Sequence, residues 1–156
     1  MKRGLQLTMV AALLVCSSAL ADQKRMAANN CELYDDTSVF YDRGGARMGA
    51  PEVSNLFICP ILRDNTTNTG GLNALKVNVY KGKPDDVICV ADSYDQNGSI
   101  LKSVARSVPG LGIVAVDFDD DLDVSSAYGS YGVACLVAPF DNNGWGHELF
   151  SIDYDE

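Results

Sequence analysis

The chain has 156 residues, 47% of them hydrophobic, and a formal net charge of −9. This length suits one domain with its own core, and the acidity argues against nucleic acid and anionic membranes as partners, because those surfaces bind clusters of Lys and Arg. The sequence has one histidine, no glycine motif of a nucleotide-binding protein and no G-x-S-x-G motif, so it predicts no enzyme.

The first segment, residues 1–21, predicts a secretory signal peptide. Lys2 and Arg3 precede a short apolar run, and Ala19-Leu20-Ala21 forms an A-x-A cleavage pattern. The run is too short to span a hydrocarbon layer of about 30 Å, so we expect no stable membrane insertion after cleavage. The sequence therefore predicts a secreted or periplasmic domain over residues 22–156. Without Lys2 and Arg3, 10 basic and 21 acidic residues remain, a net charge of −11.

The rest of the chain alternates apolar and polar residues in short segments, which is the pattern of half-buried β-strands. Asn97-Gly98 predicts a hairpin, because both central positions of a type I′ turn need a positive φ. Segment 99–108 also fits helical spacing, although its Ser and Val content favours a strand. The eight predicted strands are 32–41, 53–62, 73–80, 86–94, 99–108, 111–118, 130–138 and 148–155. Such a pattern predicts an all-β fold, a single antiparallel β-sandwich of jelly-roll or immunoglobulin-like type.

Four cysteines follow the predicted cleavage site: Cys31, Cys59, Cys89 and Cys135. An even number in an oxidising compartment favours two disulfides, and the spacing lacks the C-x-x-C pairs of zinc sites. Three pairings remain open from the sequence. Cys89 and Cys135 both lie in the middle of predicted strands, which favours a bridge between two facing sheets. Cys31 would then form a disulfide with Cys59 and fix the N-terminal arm to the domain.

Two polar loops contain candidate binding residues. The segment CPILRDNTTNTGG, residues 59–71, is either a corner stabilised by side-chain hydrogen bonds or a binding loop with Arg63 and Asp64 as polar anchors. The segment DNNGWGHE, residues 141–148, carries Trp145 and His147, the only tryptophan and histidine of the chain. The tryptophan either covers one end of the core or contacts a sugar or a protein.

The only cofactor indicated by the sequence is calcium. Asp117, Asp119, Asp121 and Asp123 alternate along DFDDDLD and could supply carboxylate oxygens. Leu122 stands where an EF-hand requires glycine, so the segment is not an EF-hand. The alternative is an acidic turn that is simply hydrated.

Four segments of the chain resemble those of a group of small exported bacterial proteins of unassigned function, which carry a C-P-[IV]-x-R-D segment. They are CPILRDNTTNTGG at 59–71, VICV at 87–90, YGVAC at 131–135 and SIDYDE at 151–156. The resemblance implies a β-sandwich over nearly all of the exported chain and no catalytic residue.

Taken together, these observations predict a non-enzymatic binding or structural module, stabilised by disulfides, whose partner is a protein or a glycan. Other functions stay open: a small calcium-dependent glycan-binding protein, a hydrolase or an enzyme inhibitor. A hydrolase would need a pair of carboxylates, and 21 acidic residues leave too many pairs to choose from.

Overall fold

A computed structural model describes residues 23–34, 39–42, 45–48, 55–63, 71–119, 121–138 and 146–155. These residues form eleven β-strands and one 3-10 helix, Ala28–Asn30. The strands are β1 (Lys24–Ala27), β2 (Glu32–Leu33), β3 (Val39–Asp42), β4 (Gly45–Met48), β5 (Asn55–Ile61), β6 (Ala74–Lys81), β7 (Ile88–Tyr94), β8 (Ile100–Ser107), β9 (Gly112–Asp117), β10 (Ser130–Val137) and β11 (His147–Asp155). The predicted signal peptide, residues 1–21, lies outside the described residues.

The strands form two antiparallel sheets. Sheet A has the order β3-β4-β11-β6-β9, and β1 also pairs with β11, beyond the part that β4 occupies. Sheet B has the order β2-β5-β10-β7-β8. The predicted all-β sandwich is therefore confirmed. Among the described residues, no helix has the length and apolar character needed to cross a membrane.

The pairing scheme distinguishes between the two predicted sandwich types. Four antiparallel pairs are nested in the chain: β4 with β11, β5 with β10, β6 with β9, and β7 with β8. Such nesting describes one long hairpin that is folded over on itself, with successive pairs placed in alternate sheets. This arrangement is a jelly roll.

The hydrophobic core fills the space between the sheets because each strand turns every second side chain inward. In β6, half-buried and buried residues alternate along its whole length. Sheet A contributes Met26, Leu75, Val77, Val79, Val116, Phe118, Leu149, Ile152 and Tyr154, and sheet B contributes Phe57, Cys59, Ile61, Cys89, Ala91, Tyr131, Val133, Cys135 and Val137.

Several strand boundaries differ from those predicted. The predicted strand 32–41 contains β2 and β3, which belong to different sheets. The four-residue strands β1 and β4 were not predicted, because so few residues show no clear alternation. Segment 100–107 is a strand rather than a helix, since it pairs with β7 along its length. Between these strands, Gly98 has a φ of 81° and Gly98 N–H donates to the Asp95 carbonyl, whereas Asn97 has no positive φ. The hairpin thus uses a longer loop than type I′.

Both predicted disulfides, Cys31–Cys59 and Cys89–Cys135, are confirmed, but their place in the fold is not the expected one. Cys89 and Cys135 are direct cross-strand neighbours in β7 and β10, with 4.1 Å between their Cα atoms. Cys59 is in β5, and Cys31 immediately precedes β2, the neighbour of β5. Neither bridge crosses the core, since each joins two adjacent segments of the chain within sheet B. Facing sheets lie about 10 Å apart, which is more than the usual Cα separation in a disulfide.

We expect each disulfide to stabilise the domain by about 3.5 to 4 kcal/mol through loop closure in the unfolded chain. The closed loops span 28 and 46 residues. The double variants Cys31→Ala/Cys59→Ala and Cys89→Ala/Cys135→Ala should therefore both unfold at lower urea concentration, with the second the less stable. Two unchanged urea midpoints, or free thiols in the native protein, would contradict this expectation.

Candidate functional site

The candidate binding residues lie at two opposite ends of the sandwich. Arg63 follows β5 at the end where β10 begins, because Ile61 pairs with Tyr131. His147 begins β11 opposite Lys81, near the end of β6 and close to where β10 ends. The structure therefore does not bring Arg63 and His147 together. Asp64 and Trp145 lie outside the described residues.

Arg63 holds a neighbouring turn in place. Its Nη1 donates hydrogen bonds to the carbonyls of Ser126 and Gly129, at 3.1 and 3.2 Å. Its guanidinium also lies over the Tyr131 ring, 5.2 Å from the ring centre. These contacts are those of a structural corner, in which a charged group satisfies two backbone carbonyls and stacks on an aromatic ring.

The turn held by Arg63 presents a tyrosine to solvent. Gly129 N–H donates to the Ser126 carbonyl at 3.0 Å, which closes a four-residue turn. Its third residue, Tyr128, has a φ of 61° and is the only non-glycine residue at positive φ in the described part of the chain. The side chain of Tyr128 is 66% exposed. A bulky residue in this region is strained by about 1–3 kcal/mol, and such strain is concentrated at functional sites.

A second tyrosine lies beside this turn. Gly129 packs so closely on the Tyr94 backbone that a Cβ at position 129 would lie 2.3 Å from the Tyr94 carbonyl oxygen. The Tyr94 ring covers Gly132 of β10 on the outer face of sheet B, with its Cε2 3.6 Å from where a Cβ would be. Glycine at position 132 thus leaves room for an aromatic ring on the sheet.

A carboxylate completes this group. The Tyr94 hydroxyl donates to Asp92 Oδ2 at 3.1 Å, and burial together with the Asp92 charge raises the pKa of Tyr94. We call Asp92, Tyr94 and Tyr128 the tyrosine surface. An aromatic ring can stack on the apolar face of a ligand. Asp92 orients Tyr94, since its Oδ2 accepts from the Tyr94 hydroxyl and its Oδ1 is buried without a hydrogen-bond partner among the described residues. No sequence motif pointed to this surface, because Tyr94 meets Gly129 and Gly132 only in the folded chain.

The four candidate calcium ligands are engaged in ion pairs. Asp117 and Asp119 lie 3.7 and 2.9 Å from Lys76 Nζ in sheet A. Asp123 accepts a hydrogen bond from Lys102 Nζ at 2.7 Å, and Asp121 accepts from Arg106, both in β8 of sheet B. The segment therefore joins the edges of the two sheets.

The pKa values of these carboxyls follow from their contacts. Burial opposes the ionisation of Asp119, but hydrogen bonds from Lys76 and from Leu75 N–H outweigh it and lower its pKa. The hydrogen bond from Lys102 lowers the pKa of Asp123. Within the described ranges, no three His, Cys, Asp or Glu residues are placed to hold a metal ion. Calcium binding stays a prediction.

His147 lies in the core rather than on a binding loop. It is 1% exposed, and neither ring nitrogen has a hydrogen-bond partner among the described residues. Lys81, the residue opposite it, is also buried, and Lys81 Nζ donates to the Val108 carbonyl at 3.1 Å. Burial lowers the pKa of His147; the charges of Lys83 and Lys81 lower it further, while that of Asp85 acts in the opposite direction. The imidazole is therefore neutral in the folded domain at neutral pH.

Comparison with solved structures shows which proteins share this fold. A xylan-binding module, CBM86, from Roseburia intestinalis aligns with a TM-score of 0.51 and 12% identity, over 86% of this chain and 96% of that one. An isomalto-dextranase from Arthrobacter globiformis T6 gives 0.56 and 15%, and an exo-β-1,3-galactanase from Phanerochaete chrysosporium gives 0.51 and 16%. The alignments cover 86% of this chain in both cases but only 23% and 29% of those enzymes. At these identities the similarity shows a common fold. No family model and no curated protein matches the sequence.

We expect Tyr128→Gly to stabilise the domain by about 1 kcal/mol, because glycine adopts a positive φ without steric strain. Urea unfolding measures the change. Tyr34→Gly is the matched control, since Tyr34 is 72% exposed and does not have a positive φ. This control should give no gain. A Tyr128→Gly variant that is less stable than wild type would show that the ring contributes more than its strained backbone costs.

Acidification should destabilise the domain through His147. The folded-state pKa is below the unfolded value of about 6.5, so the unfolded chain binds more protons between these two values. The contribution of neutral His147 to the free energy of unfolding is fully present above about pH 6.5 and is lost as the pH falls towards the folded-state pKa. Urea midpoints measured from about pH 8 to pH 5 should fall in wild type, and less in His147→Leu. Equal slopes for the two proteins would rule out this role of His147.

Proposed function

We propose that this protein is a non-catalytic carbohydrate-binding module of the cell exterior or periplasm, and that the tyrosine surface contacts the glycan. The observation that carries the proposal is the geometry of Tyr128. The chain keeps a tyrosine at a φ of 61° in a turn held by Arg63, and the ring is 66% exposed. Strain at an exposed aromatic residue points to a role for the displayed ring.

The chemistry of this surface suits a sugar. Tyrosine rings offer apolar faces of the size of a pyranose together with a polar hydroxyl. Tyr94 packs against Gly132 and is hydrogen-bonded to Asp92, so its orientation is fixed before a ligand arrives. A preorganised aromatic surface loses little conformational entropy on binding. The net charge of −9 disfavours polyanionic glycans, so we propose a neutral polysaccharide as the ligand.

The fold and the disulfides agree with this proposal. A module described as binding xylan has the same fold over 96% of its length, so a domain of this size and architecture is sufficient for glycan binding. Two disulfides are typical of proteins in oxidising compartments, where extracellular polysaccharides are found. The neighbour that matches over nearly its full length is described as a binding module, and we propose binding without hydrolysis for this chain as well.

We expect affinity electrophoresis through gels containing soluble xylan, mixed-linkage β-glucan or polygalacturonate to retard the protein in at least one of the neutral gels. Tyr128→Ala and Tyr94→Ala should each lose about tenfold in affinity or more, as is typical of aromatic anchors. Tyr34→Ala is the matched control: Tyr34 is 72% exposed but lies next to Leu56, near the opposite end of sheet B.

Three outcomes would contradict the proposal. They are mobility that no glycan changes, equal retardation of Tyr128→Ala and wild type, and release of reducing sugar from the retained polysaccharide.

A further inference from the structure

Strand β9 ends sheet A with an open edge. It pairs with β6 on one side and with no described strand on the other. Phe118 N–H donates to the Leu75 carbonyl at 2.8 Å, in the direction of β6. Because the hydrogen-bonding direction alternates along an antiparallel strand, the backbone groups of Val116 and Val114 also face β6. Those of Ile113 and Ala115 therefore face the open side, as a row of available donors and acceptors.

Residues 112–116 of this edge lack the features by which proteins protect open strands, and the charge of β9 lies at its last residue, Asp117. Such edges are usually shielded by charged side chains, proline, bulges or inward-pointing charges. The edge strand of sheet B has this protection, since Lys102 and Arg106 lie on the inward side of β8 and bind aspartates there. In contrast, the segment 107–116 contains no charged residue, although 21% of the chain is charged. Ile113 is 76% exposed and Leu111 is 61% exposed.

We propose that the β9 edge is a self-association surface, where two copies of this chain pair their β9 strands antiparallel about a two-fold axis. The inference is independent of the proposed glycan binding. An isologous contact needs only one self-complementary patch, and the open edge of an antiparallel strand is such a patch. Two copies of an acidic chain repel each other least where they approach through an uncharged surface, and 107–116 contains no charged residue. A charged partner would find no complementary charge here.

The side chains select one register. Pairing centred on Val114 places Ile113 of one copy opposite Ala115 of the other, so that a large residue faces a small one on the outer face. It also leaves Asp117, which lies 3.7 Å from Lys76 Nζ, outside the paired stretch in both copies. Pairing centred on Ala115 would instead set Asp117 against Ile113 of the second copy. The first register joins the two A sheets without bringing carboxylates together.

The size of the strand limits the affinity. Stable interfaces bury about 1,200–2,000 Å² in total, which is more than one six-residue strand can supply. The dimer is therefore weak, and each domain folds without it. Its assembly must be followed over a range of protein concentrations.

Sedimentation velocity of the purified protein from about 1 µM to about 1 mM tests the proposal. The expected result is a mass that rises with concentration from monomer towards dimer. Ile113→Lys places a charge at the edge, and Ala115→Pro removes an N–H group that faces away from β6, so both variants should stay monomeric. Ile88→Lys is the matched control, because Ile88 is 38% exposed in sheet B, away from the β9 edge, and this variant should dimerise like wild type.

Three results would overturn the proposal. One is a wild-type protein that stays monomeric at the highest concentration. The second is an Ile113→Lys variant that dimerises as strongly as wild type. The third is loss of the dimer in Ile88→Lys, which would place the contact on the outer face of sheet B. Circular dichroism of each variant distinguishes loss of pairing from loss of the fold.

Discussion

The rest of the structure depends on one constraint: every strand must bury one of its faces and also find an antiparallel neighbour for its backbone. The chain meets both requirements with four nested strand pairs that alternate between two sheets. Nesting brings distant segments together, so that β11 at the end of the chain contacts β1 at the start of the described residues. It also collects the connecting loops at the two ends of the sandwich. The residues of these loops determine which chemical groups each end of the sandwich exposes.

The covalent and ionic links act at different places in this frame. Each disulfide joins two neighbouring segments within sheet B. The two bridges therefore keep β2 beside β5 and β10 beside β7, but they do not link the two sheets. The sheets are held by the apolar core, and at one edge by the acidic segment, whose aspartates contact Lys76 in sheet A and Lys102 in sheet B. Because these ion pairs are largely exposed, their main effect is to place the segment over Phe118 and the inward side of β8 rather than to add stability.

The fold was largely predictable from local pattern. LKVNVY alternates so regularly that β6 and its inward residues follow directly, and the cysteine parity in β7 and β10 led to the right pairing. The reason given for that pairing was wrong, because parity says that two side chains share the inner side but not whether their strands are neighbours or face each other. The site was not predictable in this way. The φ of Tyr128 is set by the contact of Gly129 with Tyr94 and by two hydrogen bonds from Arg63, all of them between segments far apart in the sequence.

The two ends of the sandwich differ in which groups they bury and which they expose, and this difference supports the proposed place of glycan binding. At one end, His147 and Lys81 are withdrawn into the core, where they cost desolvation and cannot meet a ligand. At the other end, Arg63 is used to satisfy backbone carbonyls, and the ring of Tyr128 is exposed at the surface. A cationic side chain free at this end would have favoured an anionic ligand. Since Arg63 is occupied within the turn, the glycan recognition that we propose depends on stacking against the exposed ring of Tyr128, which suits an uncharged ligand.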